Sequence, residues 1–354
     1  MSHFEDLGGW PSLLTQLLER RDLSAKDARE AMSTILAGEA TPAQLIGFVV
    51  ALRAKGETGD ELSGLLDAVL ATATLVPLSD AQRNSAIDIV GTGGDRSHSI
   101  NVSTMSAVVA AGAGAVVCKH GARAASSKCG TADVLEALGV AVELPPEGVL
   151  RCIEEAGIGF CLATRFHPSF RFAGPSRREI GIPTVFNLLG PMANPGRVRR
   201  QLIGVADPAV AARMLATLRI HGSIKSWIVH GNGLDELTTT GVSTVIALDD
   251  GAVSTFEIDP VALGLAPTIS EELTGGDPAE NAAAAQRVFD GQRGPHRDIV
   301  VLNAGAGLVV AGLAGDLEEG MLLAAASIDN GRAAATLQSL VVASQAALAQ
   351  SVPA

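Results

Sequence analysis

From residue 86 onward, short apolar runs at 87–90, 115–118, 159–162, 202–205, 227–230 and 245–248 alternate with alanine-rich stretches of helical character. This alternation constrains the fold more than any other feature, because strand and helix units in that order build a largely parallel sheet covered by helices. Ligands of such sheets sit beyond the C-terminal ends of the strands. With 354 residues, 47% of them hydrophobic, the chain can bury a sizeable core.

Ahead of the alternation, residues 11 to about 75 read as helices, with start signals at Pro11, at Ser24 with Asp27, at Thr41 and Pro42 with Gln44, and at Thr58 with Glu61. Leu45, Phe48, Val49 and Leu52 recur at helical spacing and read as a core stripe. The helical signals stop at Val76, Pro77, Leu78 and Ser79. A segment at 168–195, rich in Arg, Pro and Gly, interrupts the later alternation. The expected fold is α/β, a small helical N-terminal bundle plus a larger α/β domain with a mostly parallel central sheet. The helical domain is placed at 1–78, joined by part of 168–196, and the α/β domain at 79–167 and 197–354.

Two successive strand ends carry phosphate-binding chemistry. Ile87, Ile89 and Val90 stop at Gly91, Gly93 and Gly94, where a backbone without Cβ turns tightly, and helical sequence resumes at Ser103. A glycine turn feeding a helix start offers free N–H groups and the positive dipole end to an anion. Asn101, Ser103 and Thr104 add side-chain donors. The run at 115–118 then leads into a loop with Lys119, His120, Arg123, Ser126 and Ser127. A lone glycine turn is often only structural. The spacing here is neither Gly-x-Gly-x-x-Gly nor a P-loop, which disfavours a dinucleotide or ATP. Asp235 and Glu236 follow the 227–230 run across a glycine turn at the same sheet edge. Such a pair is suited to Mg²⁺, although adjacent acids are commonly a solvated surface pair.

A net charge of -12 and a pI near 5.0 give no basic footprint, which argues against nucleic acid and anionic membranes as partners. An anionic substrate then needs a local cationic pocket or metal ions. Cys118, Cys129, Cys152 and Cys161 lack zinc-type spacing and read as reduced, buried thiols, from which a cytoplasmic location follows. The N-terminus has no basic, apolar signal pattern, and the uncharged run at 299–315 is too short for a bilayer and broken by Asn303.

Taken together, these motifs resemble the anthranilate phosphoribosyltransferase family, from the N-terminal helices to about Val342. The resemblance is carried by Gly91 to Asp95, by Asn101 to Thr104, by Lys119, His120, Gly121 and Arg123, by Ser126 and Ser127, and by the stretch from Thr131 to Leu138. Arg177 to Glu179, Phe186 to Pro191 and His230 to Glu236 complete it. It implies a fold shared with pyrimidine nucleoside phosphorylases and a homodimer joined through the helical domains.

The resemblance also implies a reaction, in which the amine of anthranilate displaces pyrophosphate from 5-phosphoribosyl 1-diphosphate (PRPP), a step of tryptophan biosynthesis. Mg²⁺, two ions per site, would be held with Ser103, Asp235 and Glu236. PRPP would lie on Gly91, Gly94, Asp95, Ser99, Asn101, Val102, Ser103, Thr104, Lys119, His120, Gly121, Ala122, Arg123, Ala124, Ala125, Ser126, Ser127 and Thr131. Anthranilate would meet Gly91, Ala122, His167 and Arg177, while His120 is a candidate to relay the amine proton. Arg177 could instead cap a helix or pair with Glu179, and both histidines could be packed core residues. The chain departs from the family pattern at Ala122, where Asn is usual, at Thr164, where Pro is usual, and at Arg96, where Gly is common. Ala122 raises the alternative of a related aromatic acceptor. A non-catalytic nucleic-acid-binding relative is a further alternative, against which the acidic charge and the intact Ser103, Asp235 and Glu236 argue.

Overall fold

Ser24, Thr41 and Thr58 each start a helix by accepting a hydrogen bond from the N–H three residues on, at Asp27, Gln44 and Glu61. At Thr41 and Thr58 the Gln44 and Glu61 side chains accept from the cap N–H in return, which satisfies two otherwise orphaned donors. In the computed structural model, which describes residues 8–124 and 128–351, these caps open the helices Ala25–Leu36, Pro42–Lys55 and Gly59–Thr72 after a first helix Gly9–Leu18. Leu45, Phe48, Val49 and Leu52 are buried as their spacing predicts.

Seven strands follow: β1 Ile87–Gly91, β2 Val117–Gly121, β3 Ile158–Leu162, β4 Arg200–Gly204, β5 Lys225–Gly231, β6 Ser243–Asp249 and β7 Ala252–Ile258. They form one sheet in the order β3-β2-β1-β4-β5-β6-β7. The pairs from β3 to β5 are parallel and the last two antiparallel. β7 has no counterpart among the apolar runs because nearly all its residues are exposed. Its signal lies in the turn instead: Asp250 and Gly251 both have positive φ, 43° and 87°, the geometry of a tight two-residue hairpin.

The second strand starts two residues later than its apolar run suggests. Lys119 and His120, expected in a loop, are therefore strand residues paired with Phe160 and Cys161 of β3. Sequence patterning discounts a lysine inside a strand because a buried ammonium is costly; here Asp88 of β1 compensates it.

Alternate strand residues feed two cores. Ile87, Ile89, Leu202, Trp227 and Val229 join the cluster containing the helices Val102–Gly112 and Pro295–Ala311. Val90, Ile203, Ile228 and Leu248 join a cluster continuous with the N-terminal helices through Val185, Phe186 and Leu189. The segment that interrupts the alternation packs on those same helices: Pro168–Phe172 against Ala25–Leu36, Gly174–Ile180 against Pro42–Lys55, and Val185–Met192 against Pro42–Lys55 and Gly59–Thr72. The sheet order reverses between β1 and β4, so their C-terminal ends, Gly91 and Gly204, open a crevice at the switch point. Among the described residues no helix is long and apolar enough to cross a membrane.

Candidate active site

The crevice is floored by Asp235 and Glu236, which follow β5. Three strand-end glycines admit them: a Cβ at Gly91 would collide with the Asp235 Oδ2, one at Gly204 with the Asp235 carbonyl oxygen, and one at Gly231 with the Glu236 carbonyl oxygen. Asp235 Oδ2 accepts from the Gly93 N–H at 2.7 Å, and Glu236 Oε1 from the Ser103 N–H at 3.2 Å. The pair thus ties the glycine turn to the start of the helix Val102–Gly112. Burial first, and the neighbouring Asp95 second, push Asp235 up to about 7; burial and then Asp235 push Glu236 well above its usual range. Carboxylates crowded in this way gain from a cation between them.

Lys119 extends from β2 toward the same carboxylates, donating to the Ile89 carbonyl and, at 3.3 Å, to Ser103 Oγ. Asp88, fully buried on β1, accepts from the His120 N–H at 3.1 Å and from Asn194 Nδ2 at 2.7 Å. Asn194 Nδ2 also donates to the Cys118 carbonyl at 2.7 Å. Burial holds Asp88 up at about 6 against the pull of Lys119, and burial lowers Lys119 against the pull of Asp88 and Glu236. The opposed shifts are those of a buried ion pair whose desolvation rivals its attraction.

The residue after Lys119 points to the other side of the sheet. His120 Nδ1 lies 3.1 Å from the Gly190 carbonyl, which can only accept, so Nδ1 carries the proton and Nε2 is left as a buried acceptor without a hydrogen-bond partner. The His120 ring is 5.1 Å from that of His167, which stacks on Phe170 at 5.2 Å; Phe170 meets Phe186 edge-on at 5.5 Å. The Arg177 guanidinium lies over Phe186, 4.8 Å from its centre. Arg177 has no carboxylate within ion-pair distance among the described residues, Glu179 included, and burial lowers its pKa. Burial likewise keeps His120 well below its ordinary range and His167 at about 4, so both rings are neutral. A half-buried, unpaired cation beside stacked rings suits an aromatic acid.

Residues 83–334 match a family described as glycosyl transferase family, a/b domain, and residues 11–73 the helical bundle domain of that family. Anthranilate phosphoribosyltransferase of Rhizobium meliloti (strain 1021) is 49% identical over 334 residues, 94% of this chain and 98% of that one. That of Acidothermus cellulolyticus is 51% identical over 349 residues, 97% of each. The chain belongs to the anthranilate phosphoribosyltransferase family. The crystal structure of the enzyme from Thermus thermophilus superposes with a TM-score of 0.88 at 40% identity, covering 94% of this chain and 99% of that one. The Saccharomyces cerevisiae enzyme in complex with PRPP and Mg superposes with a TM-score of 0.86 at 28% identity, covering 95% and 98%.

Many residues matched to the family's motifs follow the C-terminal ends of β1 and β2, which border the crevice. Asp95 accepts from the Ser97 N–H, Ser99 accepts from the Ser97 hydroxyl, and Asn101 accepts from Asn281 Nδ2 at 2.8 Å. Thr104 Oγ1 is buried without a hydrogen-bond partner at the helix start, where Val102 packs into the core. Gly121 ends β2 against Thr131, the Ala122 carbonyl accepts from the Ala132 N–H, and Ala124 N–H donates to Asp133. Arg123 is turned outward, bonded to Glu136 and Glu143. Ala125, Ser126 and Ser127 lie outside the described residues.

Two of the departures from the family pattern stand where the usual residue would fit. Arg96 has φ 59°, a conformation that favours glycine, and Thr164 is an exposed residue in the first turn of the short helix Ala163–Phe166, where proline fits. The oxygens of Ser103, Asp235 and Glu236, with the crowded carboxylates, fit a hard cation such as Mg²⁺. Among the described residues no three His, Cys, Asp or Glu side chains form a complete cage.

Sequence reasoning assigns no role to Asp88, Asn194, Phe170 or Phe186. Asp88 carries a signal, a charge amid the apolar Ile87, Ile89 and Val90. The others come from the segment 168–196, which the sequence joins to the helical domain without showing which of its side chains reach the crevice.

Proposed function

We propose that this protein is a Mg²⁺-dependent enzyme that transfers the 5-phosphoribosyl group of PRPP to the amine of anthranilate, forming N-(5-phosphoribosyl)anthranilate and pyrophosphate in tryptophan biosynthesis. The observation that carries the reading is the pair Lys119 and His120: consecutive on β2, they face opposite sides, one toward Ser103 and Glu236 and the other toward His167. Related enzymes from Saccharomyces cerevisiae are known in complex with PRPP and Mg and with 4-fluoroanthranilate, which supports both substrates.

In the reaction the ribose C1–O bond to pyrophosphate breaks, its electron pair leaving with the oxygen, and a C1–N bond forms from the amine lone pair. That lone pair is delocalised into the ring, a weak nucleophile, so departure runs ahead of attack and charge stabilisation matters most. Ser103, Asp235 and Glu236 would hold Mg²⁺, two ions per site on this reading, and the bound metal would supply positive charge to offset that on the departing pyrophosphate. Lys119 adds a fixed, buried positive charge on the same side. The glycine turn and the start of the helix Val102–Gly112 bring backbone N–H groups and the dipole to the phosphates.

Arg177 takes the anthranilate carboxylate, and His167 and Phe170 cover the ring. His120 Nε2 accepts the amine N–H and then its proton. An N-protonated aryl amine is a strong acid, so an imidazole of depressed basicity suffices.

Domain division follows the same reading: the N-terminal helices with part of 168–196 form one domain and the sheet with its other helices the second. A homodimer joined through the helical domain belongs to the same reading. Four buried thiols, none in a disulfide, suit a cytoplasmic protein. Mixing the pure protein with anthranilate, PRPP and Mg²⁺ is expected to abolish anthranilate fluorescence with equimolar pyrophosphate release. Unchanged fluorescence sinks the reading.

A further inference from the structure

Asn303 is a fully buried amide in the helix Pro295–Ala311, inside the otherwise apolar run 299–311. Its Oδ1 accepts from the Leu237 N–H at 3.0 Å, and its Nδ2 donates to the Leu237 carbonyl at 2.8 Å and to the Ile299 carbonyl at 2.9 Å. One side chain thereby holds both main-chain groups of the residue that directly follows Asp235 and Glu236. Asparagine is a poor helix former and expensive to bury, so packing alone favours an apolar residue here.

The neighbouring backbone is fixed in the same manner. The carbonyl of Asp235 is pressed against Gly204 and that of Glu236 against Gly231, where no Cβ fits. Asn303 closes the series at Leu237, so three consecutive residues are held from three different elements. We propose that Asn303 is a positioning residue that fixes the aim of the Asp235 and Glu236 carboxylates at the ion site, acting through the backbone without touching substrate. The inference rests on the reading of those carboxylates as Mg²⁺ ligands.

Loss of the clamp lets the carboxylates drift, which weakens divalent ion binding by about 10- to 100-fold, the range for groups that orient metal ligands. KM for anthranilate stays unchanged, because Arg177 and His167 stand on other elements. The test compares Asn303→Ala with Ser327→Ala, which removes an equally buried hydrogen bond, Ser327 Oγ to the Val109 carbonyl at 2.9 Å, away from the carboxylates. Mn²⁺ binding with PRPP present, followed by electron paramagnetic resonance, and the Mg²⁺ dependence of turnover are measured on both.

Asn303→Ala is expected to shift both by at least about tenfold, and Ser327→Ala neither. Equal behaviour of the two variants overturns the inference, as does a rise in KM for anthranilate matching the Mg²⁺ shift. Should Asn303→Ala fail to fold, Asn303→Ser, which is too short to hold both groups, takes its place under the same criteria. Wild-type protein that neither binds Mn²⁺ nor turns over PRPP defeats the functional reading itself. Wild-type binding and turnover with an unshifted Asn303 variant defeat this inference alone.

Discussion

The two sides of the crevice are built in contrasting ways. Around Asp235, Glu236 and Ser103, polar atoms are tied to backbone groups: Gly93 and Ser103 N–H bind the carboxylates, and glycines leave room for them. Around His120, His167 and Arg177, side chains stack on one another, and His120 Nε2 is buried without a hydrogen-bond partner. The first side is a rigid cradle for charge that changes during the reaction. The second is a recess of stacked, neutral rings beside the Arg177 cation, a setting suited to a flat organic acid.

The largest expected effect breaks the charged side. Asp235→Asn keeps the shape and the Gly93 contact but removes the charge, so kcat/KM for PRPP should fall on the order of 100-fold or more, with a raised Mg²⁺ requirement and unchanged calorimetric binding of anthranilate.

The neutral side is tested by pH. His167 titrates at about 4 in the folded chain against 6.5 ordinarily, so its stabilisation is complete above pH 6.5 and is lost as pH falls toward 4, roughly 3 kcal/mol in all. Asp88, held up at about 6, has the opposite slope, losing stability as pH rises from 3.8 through 6. The difference between wild type and His167→Phe in urea unfolding therefore isolates the histidine: the variant should lose less stability between pH 7 and pH 5. The smallest expected effect is Arg96→Gly, which relieves a left-handed arginine but loosens the unfolded chain, changing stability by under about 1 kcal/mol in thermal melts.

The same contrast explains what can be read from the sequence. Gly91 to Asp95, Ser103 and the pair Asp235 and Glu236 are legible because strand-end glycines and charges make local patterns, and the helix caps at Thr41 and Thr58 are local too. The recess is assembled from one irregular segment, His167 to Phe186, folded against His120 of β2, and irregular backbone leaves no periodic pattern, so Phe170 and Phe186 look like core until Arg177 and His167 meet them. Asn303 reads only as an interruption of an apolar run. Arg123, grouped with the phosphate loop by its neighbours, is turned to Glu136 and Glu143, a pairing no local pattern shows. Lys119 and His120 read as loop residues, since apolarity alone ends a strand where a buried ion pair continues it.

The division between the two sides is tested most directly by steady-state kinetics of Arg177→Ala against both substrates. The account predicts a rise of about 10-fold or more in KM for anthranilate, from the lost charge-assisted pairing, with KM for PRPP and the Mg²⁺ dependence unchanged. Equal rises for anthranilate and PRPP would contradict it.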